Sequence, residues 1–375
     1  MKTLYVTTIS LTMNSFFKPH IEMLVREGHS VDLACNFKDL PPDALYSELG
    51  CGIYQIDFSR NPLSVDNVKA YSQLKRVVES GGYDIVHCHT PNAAVITRLV
   101  CRMFRKNNGL KVFYTAHGFH FYKGAPKLNW ILFYPVEKFC SRFTDKLITI
   151  NKEDHARALK QLHAKRIEYV PGVGINTAKF RELEMDRKEK RSALGYGDDD
   201  FLALTVAEMT ANKNHITILK ALALLKDREE FQHIHYLICG RGEMWASLEE
   251  SAKALGIADH VNFLGYRTDA PELYKASDLF LFVTFREGLS VALMEAMSSG
   301  MSIVCAKIRG NTDLIDDGVS GVFSENSPEA VAEHILAMYR DPQRRQMLGQ
   351  AAAEKALLFD DQNVLNQVRE IYLSL

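Results

Sequence analysis

Short apolar runs alternate with segments of helical periodicity along the whole chain. In the first half, runs at 4–8, 31–35, 85–88, 112–115 and 147–150 have the length and composition of buried strands. Between them, apolar residues recur every three or four positions at 16–26, 67–79, 93–104, 128–142 and 153–162, a spacing that predicts helices. This alternation is typical of a doubly wound parallel sheet, whose ligands bind beyond the carboxyl ends of the strands.

The second half repeats the pattern, with strands predicted at 202–206, 236–239, 261–263, 279–282, 303–305 and 321–323. Between the halves, residues 169–174 interrupt the pattern with Pro and Gly, and a charged run follows at 181–191. A chain of 375 residues also exceeds what one hydrophobic core usually supports. We therefore expect an α/β protein with two Rossmann-like, doubly wound domains facing each other across a cleft. The predicted domains are 1–172 and 173–359, with a helix at about 360–375 packing back on the first.

Composition excludes several classes of protein. The chain is 47% hydrophobic and 24% charged, which is ordinary for a globular domain. Its seven cysteines are odd in number, scattered and without a C-x-x-C pair, which favours reduced thiols and a cytoplasmic location. The apolar run at the N-terminus is too short for a signal peptide, and no stretch is apolar enough to cross a membrane.

Charge is distributed unevenly although the net charge is −1. Segment 98–152 contains 11 basic residues, with only Glu137 and Asp145 as acids, and aromatic residues are interleaved with them. This mixture suits an anionic membrane surface or a diphosphate-linked lipid. A core helix with a solvated basic face remains a close alternative, and a nucleic-acid surface is a weaker third.

The most informative stretch is 285–300, FREGLSVALMEAMSSG. It follows the apolar run 279–283 and predicts a strand, a turn and a helix. Gly288 lets the backbone approach a ligand, Ser290 can cap the helix, and the free N–H groups at the helix start suit a phosphate. Glu287 precedes the helix and Glu295 lies about two turns along it. The same spacing also fits a solvated turn glutamate and a surface glutamate.

Glu287 and Glu295, with seven residues between them, match the E-x7-E signature of retaining family 4 glycosyltransferases of the GT-B fold, which the chain resembles over nearly its whole length. Among that family, bacterial capsule and exopolysaccharide transferases share the segment TAHGFHF at 115–121. The resemblance implies a C-terminal domain that binds the nucleotide sugar and an N-terminal domain that binds the acceptor. It makes Glu287 catalytic, binding the donor sugar, and gives Glu295 the ribose. The helix start at Gly288, Leu289 and Ser290 would lie under the phosphate or sugar.

Donor binding in this family also uses cations after the first strand of the second domain. Relatives carry an Arg and then a Lys that neutralise the diphosphate. Lys213 matches the Lys, but Glu208 occupies the Arg position, where a carboxylate cannot do this work. Arg241, in the turn CGRGE, and Arg309, before a glycine-rich turn, are the candidates for the missing cation. Either side chain could instead be a solvated loop residue.

Two further donor contacts follow from the resemblance. Gly310 belongs to a turn that resembles the family's glycine-rich loop, in which Asp313 stands where a Glu is usual, so a direct contact by Asp313 is in doubt. Tyr266 lies where relatives hold the base, largely through backbone, and uracil is the expected base.

Histidines mark the predicted acceptor side. His117 matches the active-site histidine of the family, and imidazole suits proton traffic near neutral pH. A histidine satisfied in the core is the alternative, and His120 is the reserve candidate. The loop 7–14 lacks the glycines of many relatives, so Asn14 and Ser15 are expected to contact the acceptor. The pair His87 and His89 is a weak metal signal, because no carboxylate or Cys partner lies nearby in sequence, and strand-end packing is the preferred interpretation.

Together with these patterns, the resemblance implies a retaining, metal-independent hexosyltransferase with no cofactor beyond its nucleotide-sugar co-substrate. It would transfer a hexose or N-acetylhexosamine, from a UDP-sugar for preference, to a polyprenyl-diphosphate-linked glycan. It would work at the inner face of the cell membrane, which it would contact through its N-terminal domain, and it would not bind nucleic acid. The only D-x-D, at 198–200, precedes a strand and is typical of a solvated turn. A non-hydrolysing nucleotide-sugar epimerase and a non-catalytic nucleotide-sugar or glycan-binding protein remain the alternatives.

Overall fold

The computed structural model describes residues 1–374, with residues 107 and 108 described by their backbone alone. The chain forms two compact units, Met1–Val173 with Gln362–Leu375, and Gly174–Asp361. The second unit extends to Asp361, past the predicted limit of 359, because Ile175 donates a hydrogen bond to the Phe359 carbonyl and accepts one from Asp361 N–H. Residue 375, the end of the predicted returning helix, lies outside the described residues.

The first unit alternates strands and helices, as predicted. Its strands are β1 (Lys2–Ile9), β2 (Ser30–Asn36), β3 (Ile53–Gln55), β4 (Ile85–His89), β5 (Lys111–Ala116), β6 (Lys146–Thr149) and β7 (Arg166–Tyr169). Its helices are α1 (Ser10–Phe16), α2 (Lys18–Arg26), α3 (Ala44–Glu48), α4 (Asp66–Gly81), α5 (Pro91–Asn108), α6 (Lys127–Ser141) and α7 (Lys152–Gln161).

The seven strands form one parallel sheet in the order β3-β2-β1-β4-β5-β6-β7. Strand order reverses between β1 and β4, which makes the carboxyl ends of these two strands the topological switch point. Thr8, near the end of β1, donates its backbone N–H to the Thr90 hydroxyl after β4, at 3.0 Å. Hydrophobic clusters cover both faces of the sheet, as is usual for parallel strands that are buried on both sides.

The prediction for 7–26 was wrong in detail. The expected loop 7–14 does not exist, since β1 continues to Ile9 and α1 begins at Ser10. The helix expected at 16–26 is α2, which begins two residues later with Pro19 in its first turn, and α1 precedes it as a separate helix. Proline lacks the N–H that a helix interior needs but fits a first turn, so the chain starts a new helix there. The short strands β3 and β7 were not predicted, because three or four half-buried residues carry little periodicity.

The second unit has the same alternation. Its strands are β8 (Phe201–Val206), β9 (Ile234–Cys239), β10 (Val261–Gly265), β11 (Leu279–Phe282), β12 (Ser302–Ala306) and β13 (Val322–Ser324). Its helices are α8 (Thr177–Arg181), α9 (Arg187–Ala193), α10 (His215–Leu225), α11 (Trp245–Ala254), α12 (Ala270–Ala276), α13 (Val291–Ser298), α14 (Asn311–Leu314), α15 (Pro328–Arg340) and α16 (Pro342–Ala356).

The sheet of the second unit is parallel, with the order β10-β9-β8-β11-β12-β13 and a switch point between β8 and β11. A final helix, α17 (Asp361–Leu373), belongs to the first unit. Val364, Val368 and Tyr372 on α17 are buried against residues of β1 and β5. All seven cysteines are free thiols, and six of them are buried.

Candidate active site

Two loops meet at the switch point of the second unit, one after β8 and one after β11. The loop after β8 carries Lys213, and the loop after β11 carries Glu287. Phe285 N–H donates to the Asn212 carbonyl at 2.9 Å, and the Asn212 side chain donates to the Arg286 carbonyl at 3.0 Å. These bonds hold both loops at the carboxyl edge of the sheet, where doubly wound folds bind ligands.

Asn214 sets the backbone at this point. It adopts a left-handed conformation with φ 56°, which asparagine tolerates better than most residues. Its buried side chain donates to the Val283 carbonyl at 3.0 Å. Neither Asn212 nor Asn214 was expected to belong to the site, although asparagines on both sides of Lys213 were a usable signal. Together they fix the backbone that carries the lysine.

The predicted catalytic residues of the second unit are in direct contact. Lys213 Nζ lies 2.7 Å from Glu287 Oε1, and the Thr284 hydroxyl donates to the same oxygen at 2.8 Å. The two side chains are 21% and 11% exposed, so the pair is largely but not completely removed from water. The Lys213 ammonium also lies 5.1 Å from the centroid of the Phe282 ring. The arrangement orients the carboxylate and keeps a cation beside it.

Beside this pair, two glycines bring two loops together. Gly310 has φ +82°, and a Cβ on it would lie 2.3 Å from the Gly288 carbonyl oxygen. Position 310 therefore needs glycine, both for its backbone conformation and for its close approach to the backbone of Gly288. Leu289 and Ser290 are buried, and the Ser290 hydroxyl accepts from Leu293 N–H at 3.3 Å, which confirms the predicted N-cap of α13.

Glu295 lies on α13 and is held by one oxygen. The Tyr274 hydroxyl donates to Glu295 Oε2 at 2.9 Å. Burial raises the pKa of Glu295, and the hydrogen bond from Tyr274 opposes that rise. Nothing in the sequence indicated this tyrosine, which orients the carboxylate. The second oxygen of Glu295 has no hydrogen-bond partner among the described residues and can accept from a ligand hydroxyl.

The two candidates for the missing cation have different environments. Arg309 is 8% exposed and its Nε donates to the Glu287 carbonyl at 3.1 Å, so it supports the turn before Gly288. Arg241 is exposed, and within the described residues its side chain has no hydrogen bond or ion pair. The structure therefore gives the two arginines different tasks.

The loop of Arg241 lies against the segment that contains Glu208. Met209 N–H donates to the Arg241 carbonyl at 3.0 Å. A Cβ on Gly240 would lie 2.0 Å from the Ala207 carbonyl oxygen, and one on Gly242 would lie 2.4 Å from the Met209 carbonyl oxygen. Glycines on both sides thus bring the Arg241 backbone next to the position where relatives have their arginine.

The remaining donor candidates lie at the edge of this site or inside the unit. Tyr266 follows β10 and is 71% exposed, so its ring is accessible to a planar ligand. Asp313, on the short helix α14, is buried. Its burial agrees with the doubt about a direct ligand contact.

Histidines gather at the switch point of the first unit. His89 ends β4, His117 follows β5, and His89 Nδ1 lies 3.2 Å from His117 Nε2. His20, on α2, and His87 line the same small cavity. Burial lowers the pKa of His117 to about 4, so this imidazole is neutral at physiological pH.

Both ring nitrogens of His87 form hydrogen bonds inside the first unit. Its Nδ1 lies 2.7 Å from the Tyr372 hydroxyl and its Nε2 lies 2.8 Å from the Thr115 hydroxyl. Within residues 1–374, no three side chains of His, Cys, Asp or Glu are arranged to hold a metal ion. The preferred interpretation of the His87 and His89 pair, strand-end packing, agrees with these contacts.

Comparison with known proteins identifies the family. Residues 20–179 match the model of Glycosyltransferase Family 4, and residues 186–355 match that of Glycosyl transferases group 1. EpsD of Bacillus subtilis strain 168, named as a glycosyltransferase, is 35% identical over 376 residues, covering 99% of this chain and 96% of its own. The chain is a family 4 glycosyltransferase. The predicted family is thereby confirmed.

Two more similarities bear on this family 4 glycosyltransferase. The Escherichia coli UDP-Gal:alpha-D-GlcNAc-diphosphoundecaprenol alpha-1,3-galactosyltransferase is 25% identical over 309 residues, covering 81% of this chain and 78% of its own. The crystal structure of Anabaena HepE in complex with UDP and glucose has a TM-score of 0.78 at 19% identity and covers both chains fully. The fold is GT-B, with two Rossmann-like parallel-sheet units, as expected.

Some of the predicted acceptor-binding residues of this family 4 glycosyltransferase already form contacts within the first unit. The Asn14 side chain donates to the Pro41 carbonyl at 3.0 Å and accepts from Asp43 N–H at 3.1 Å. Both ends of its amide thus hold the loop before α3, and Asn14 is a structural residue in this conformation. Ser15 is exposed. The His120 ring lies 4.7 Å from that of Phe133 and is half-buried.

A larger cavity in the first unit of the transferase was not anticipated from the sequence. It has a volume of about 460 Å³ and lies at the carboxyl ends of β1 and β2. Its lining includes Ser10, Asn36, Lys38, Asp57 and Arg60. Most of these residues are in connecting segments without periodicity, so the sequence offered no pattern that would group them.

The basic segment of the transferase is only partly a surface. Arg98 is fully buried, with its Nη2 donating to Glu137 at 2.9 Å, and Lys146 is buried against the end of α17. The charge count therefore overstated the surface charge. Within the described residues, no helix is long and apolar enough to cross a membrane.

Helix α6 of the transferase instead presents an exposed apolar surface. Trp130, Phe133 and Tyr134 pack inward against the core of the first unit. Five large apolar side chains on the opposite side are between 43% and 68% exposed, and we call them the α6 apolar face: Leu128, Ile131, Leu132, Val136 and Phe139. Lys123, Lys127 and Arg142 are exposed near the two ends of the helix.

Proposed function

We propose that this family 4 glycosyltransferase transfers a hexose or N-acetylhexosamine from a UDP-sugar, with retention and without a metal ion, to a polyprenyl-diphosphate-linked glycan. The observation that carries the proposal is the contact between Lys213 and Glu287 beside the N-terminus of α13. It combines a cation for the diphosphate, a carboxylate for the sugar and a helix start with free N–H groups at one edge of one sheet.

In this mechanism, the second unit supplies charge stabilisation. Lys213 and Arg241 neutralise the leaving diphosphate, and the N–H groups after Gly288 donate to its oxygens. Glu287 binds hydroxyls of the donor sugar and stabilises the oxocarbenium-like charge at the anomeric carbon. The free oxygen of Glu295 accepts from the ribose. Preorganised groups of this kind contribute most when they are already held in place, as the contacts of Lys213 and Glu287 indicate.

The first unit would hold the acceptor. The polar cavity at the ends of β1 and β2 has the size of a small glycan site, and its charged side chains, among them Arg60 and a Lys38 that is paired with Asp57 at 2.8 Å, suit sugar hydroxyls. His117 would contact a sugar hydroxyl. Front-face attack, in which the leaving phosphate oxygen accepts the proton of the acceptor hydroxyl, accounts for retention without a covalent intermediate.

Similar proteins support the choice of substrates. The name of the Escherichia coli relative specifies a UDP-sugar donor and an undecaprenol diphosphate-linked acceptor, and Anabaena HepE binds UDP and glucose. We propose that the present chain likewise uses a UDP-sugar donor and a lipid diphosphate-linked acceptor.

The lipid-linked acceptor would bring the chain to a membrane, and the α6 apolar face is suited to contact one. A helix that exposes five large apolar side chains near basic residues is typical of segments that lie in the headgroup region. Each basic side chain near an anionic surface adds about 1 kcal/mol. We therefore propose that α6 docks the first unit on the inner face of the cell membrane.

Transfer is tested by incubating the chain with radiolabelled UDP-sugars and polyprenyl-diphosphate disaccharides, with and without EDTA. The expected result is a labelled lipid-linked product with a retained anomeric configuration by NMR, insensitive to EDTA and nearly abolished by Glu287→Gln. Interconversion of free UDP-sugars without an acceptor would instead identify an epimerase. Tight UDP-sugar binding without any product would identify a binding protein.

Membrane docking is tested by sedimentation with liposomes of 30% anionic lipid, a composition chosen for its surface charge. Ile131→Ser/Leu132→Ser should lose binding, whereas the control Leu224→Ser, which changes an equally exposed leucine of α10 (53%), should bind normally. Lys123→Glu/Lys127→Glu should weaken binding most at low salt, because salt screens the charge term. Unchanged sedimentation of the Ile131 and Leu132 double variant would show that α6 does not dock.

A further inference from the structure

His89 is a buried histidine whose hydrogen bonding is incomplete. It is 1% exposed, and its ring lies 4.1 Å from that of Phe17, 4.2 Å from that of His87 and 5.1 Å from that of Tyr5. Among the described residues, its Nδ1 faces His117 Nε2 at 3.2 Å and its Nε2 has no partner. Aromatic packing therefore fixes the ring in a position where only Nδ1 can form a hydrogen bond.

Two proton arrangements fit the contact between the two imidazoles. If His117 donated from Nε2, neutral His89 would have to carry its own proton on Nε2, as a buried N–H without an acceptor. If His89 donates from Nδ1, its Nε2 is an unpaired acceptor in an aromatic environment. Buried N–H groups without a partner are rare in proteins, and unsatisfied acceptors are less so. The second arrangement is therefore favoured.

We propose that His89 is a positioning residue that donates from Nδ1 to His117 Nε2 and so keeps the His117 proton on Nδ1. His117 then meets the substrate as a hydrogen-bond donor to a sugar oxygen and not as a general base. Its Nδ1 has no partner within residues 1–374, so this N–H remains available. Burial lowers the pKa values of both rings, in agreement with two neutral imidazoles that carry one proton each, of which the His89 proton lies in the hydrogen bond between them.

This inference rests on the proposed function where it assigns a substrate contact to His117, but the proton position itself can be measured without any substrate. In ligand-free protein with ¹⁵N-labelled histidine, long-range ¹H–¹⁵N NMR spectra distinguish the two neutral tautomers. The His117 signals are assigned by their loss in His117→Gln. The expected result is the Nδ1–H form of His117. A dominant Nε2–H form would overturn the proposal.

Two variants of His89 separate positioning from packing. His89→Asn places an amide N–H near the position of Nδ1, whereas His89→Phe keeps an aromatic ring without a donor. The tautomer of His117 should be retained in His89→Asn and become mixed in His89→Phe. His20→Phe changes a neighbouring buried histidine of the same cavity and is the matched control, in which the tautomer should not change.

Transfer kinetics provide the functional readout. His89→Phe should lower kcat by about 10–100-fold, the range for losing a group that orients a functional imidazole, with little change in the KM for the donor. His89→Asn should restore most of this activity. Equal losses in His89→Asn and His89→Phe would mean that His89 acts through packing, which contradicts the proposal. If no donor and acceptor pair gave a product, the proposed function would fail while the NMR result still decided the tautomer.

Discussion

Replacing Lys213 by methionine tests the charge stabilisation on which the proposed chemistry depends. Methionine keeps a flexible apolar stem of similar length, but it removes the ammonium that lies 2.7 Å from Glu287 and 5.1 Å from the centroid of the Phe282 ring. Because the Lys213 side chain is only 21% exposed, water can compensate only in part for the lost ammonium charge. The donor diphosphate would then leave without its nearest cation.

The magnitude follows from the value of one preorganised group. Removing one such donor from an active site costs about 2.7–4 kcal/mol of transition-state stabilisation. At about 1.36 kcal/mol per factor of ten, we expect kcat/KM to fall roughly 100- to 1000-fold. Since Lys213 and Glu287 touch, the loss in Lys213→Met/Glu287→Gln should be smaller than the sum of the single losses, by at least about 1 kcal/mol.

The assay is initial-rate transfer from a radiolabelled UDP-sugar, with thermal unfolding measured in parallel for each variant. Lys220→Met, which removes an exposed lysine of α10, is the control and should keep full activity. Lys213→Arg should recover part of the loss, because it restores the charge with a different geometry. A folded Lys213→Met variant within threefold of the wild-type rate would refute the assignment of this cation.

Three other predictions concern charge and burial. Arg241→Ala should lower kcat/KM at least tenfold with little change in the midpoint of thermal unfolding. Arg309→Ala should lower both kcat/KM and that midpoint, because Arg309 supports the backbone of the site. Equal losses of thermal stability in the two variants would contradict this division of tasks. Arg98→Leu should cost about 3–5 kcal/mol of unfolding free energy in urea by leaving Glu137 unpaired inside the first unit, and the double replacement of both by leucine should recover most of it. Burial lowers the pKa of His20 to about 4, compared with 6.5 in the unfolded chain. Between these pH values the unfolded chain binds a proton that the native protein does not, so the free energy of unfolding should fall as the pH falls from 6.5 to 4. A midpoint of urea unfolding that does not change with pH would exclude this linkage.

The alternation of strands and helices could be predicted because buried parallel strands are continuous apolar runs. The run at 279–282 matches β11 at both ends, and Ser290 was recognisable as a cap because serine, a preferred capping residue, stands at the start of the predicted helix. The resemblance then supplied Lys213, Glu287 and Glu295. Two of these three are in contact in the structure, through loops that are 74 residues apart in sequence.

The features that sequence patterns missed depend on contacts between distant segments. Nothing around Tyr274 indicates that its hydroxyl holds Glu295, and no periodicity links Gly240 and Gly242 to Ala207 and Met209. The charge count for 98–152 failed for the same reason, because pairing removes Arg98 from the surface and only the structure shows the pair. The α6 apolar face could not be recognised from the sequence, because the apolar residues that face the core and those that face outward alternate along the same helix.

The chain returns to its first unit only through α17, and this affects folding during synthesis. The Tyr372 hydroxyl lies 2.7 Å from His87 Nδ1, and the ring is buried in the core of the first unit. Gly174–Asp361 is continuous in sequence and can fold as soon as it leaves the ribosome. At about 5–20 residues per second, the first unit waits roughly 10–40 s for its last helix. The core of the first unit is thus completed only after the second unit has been made, and a ribosome that stalls before α17 leaves that core open.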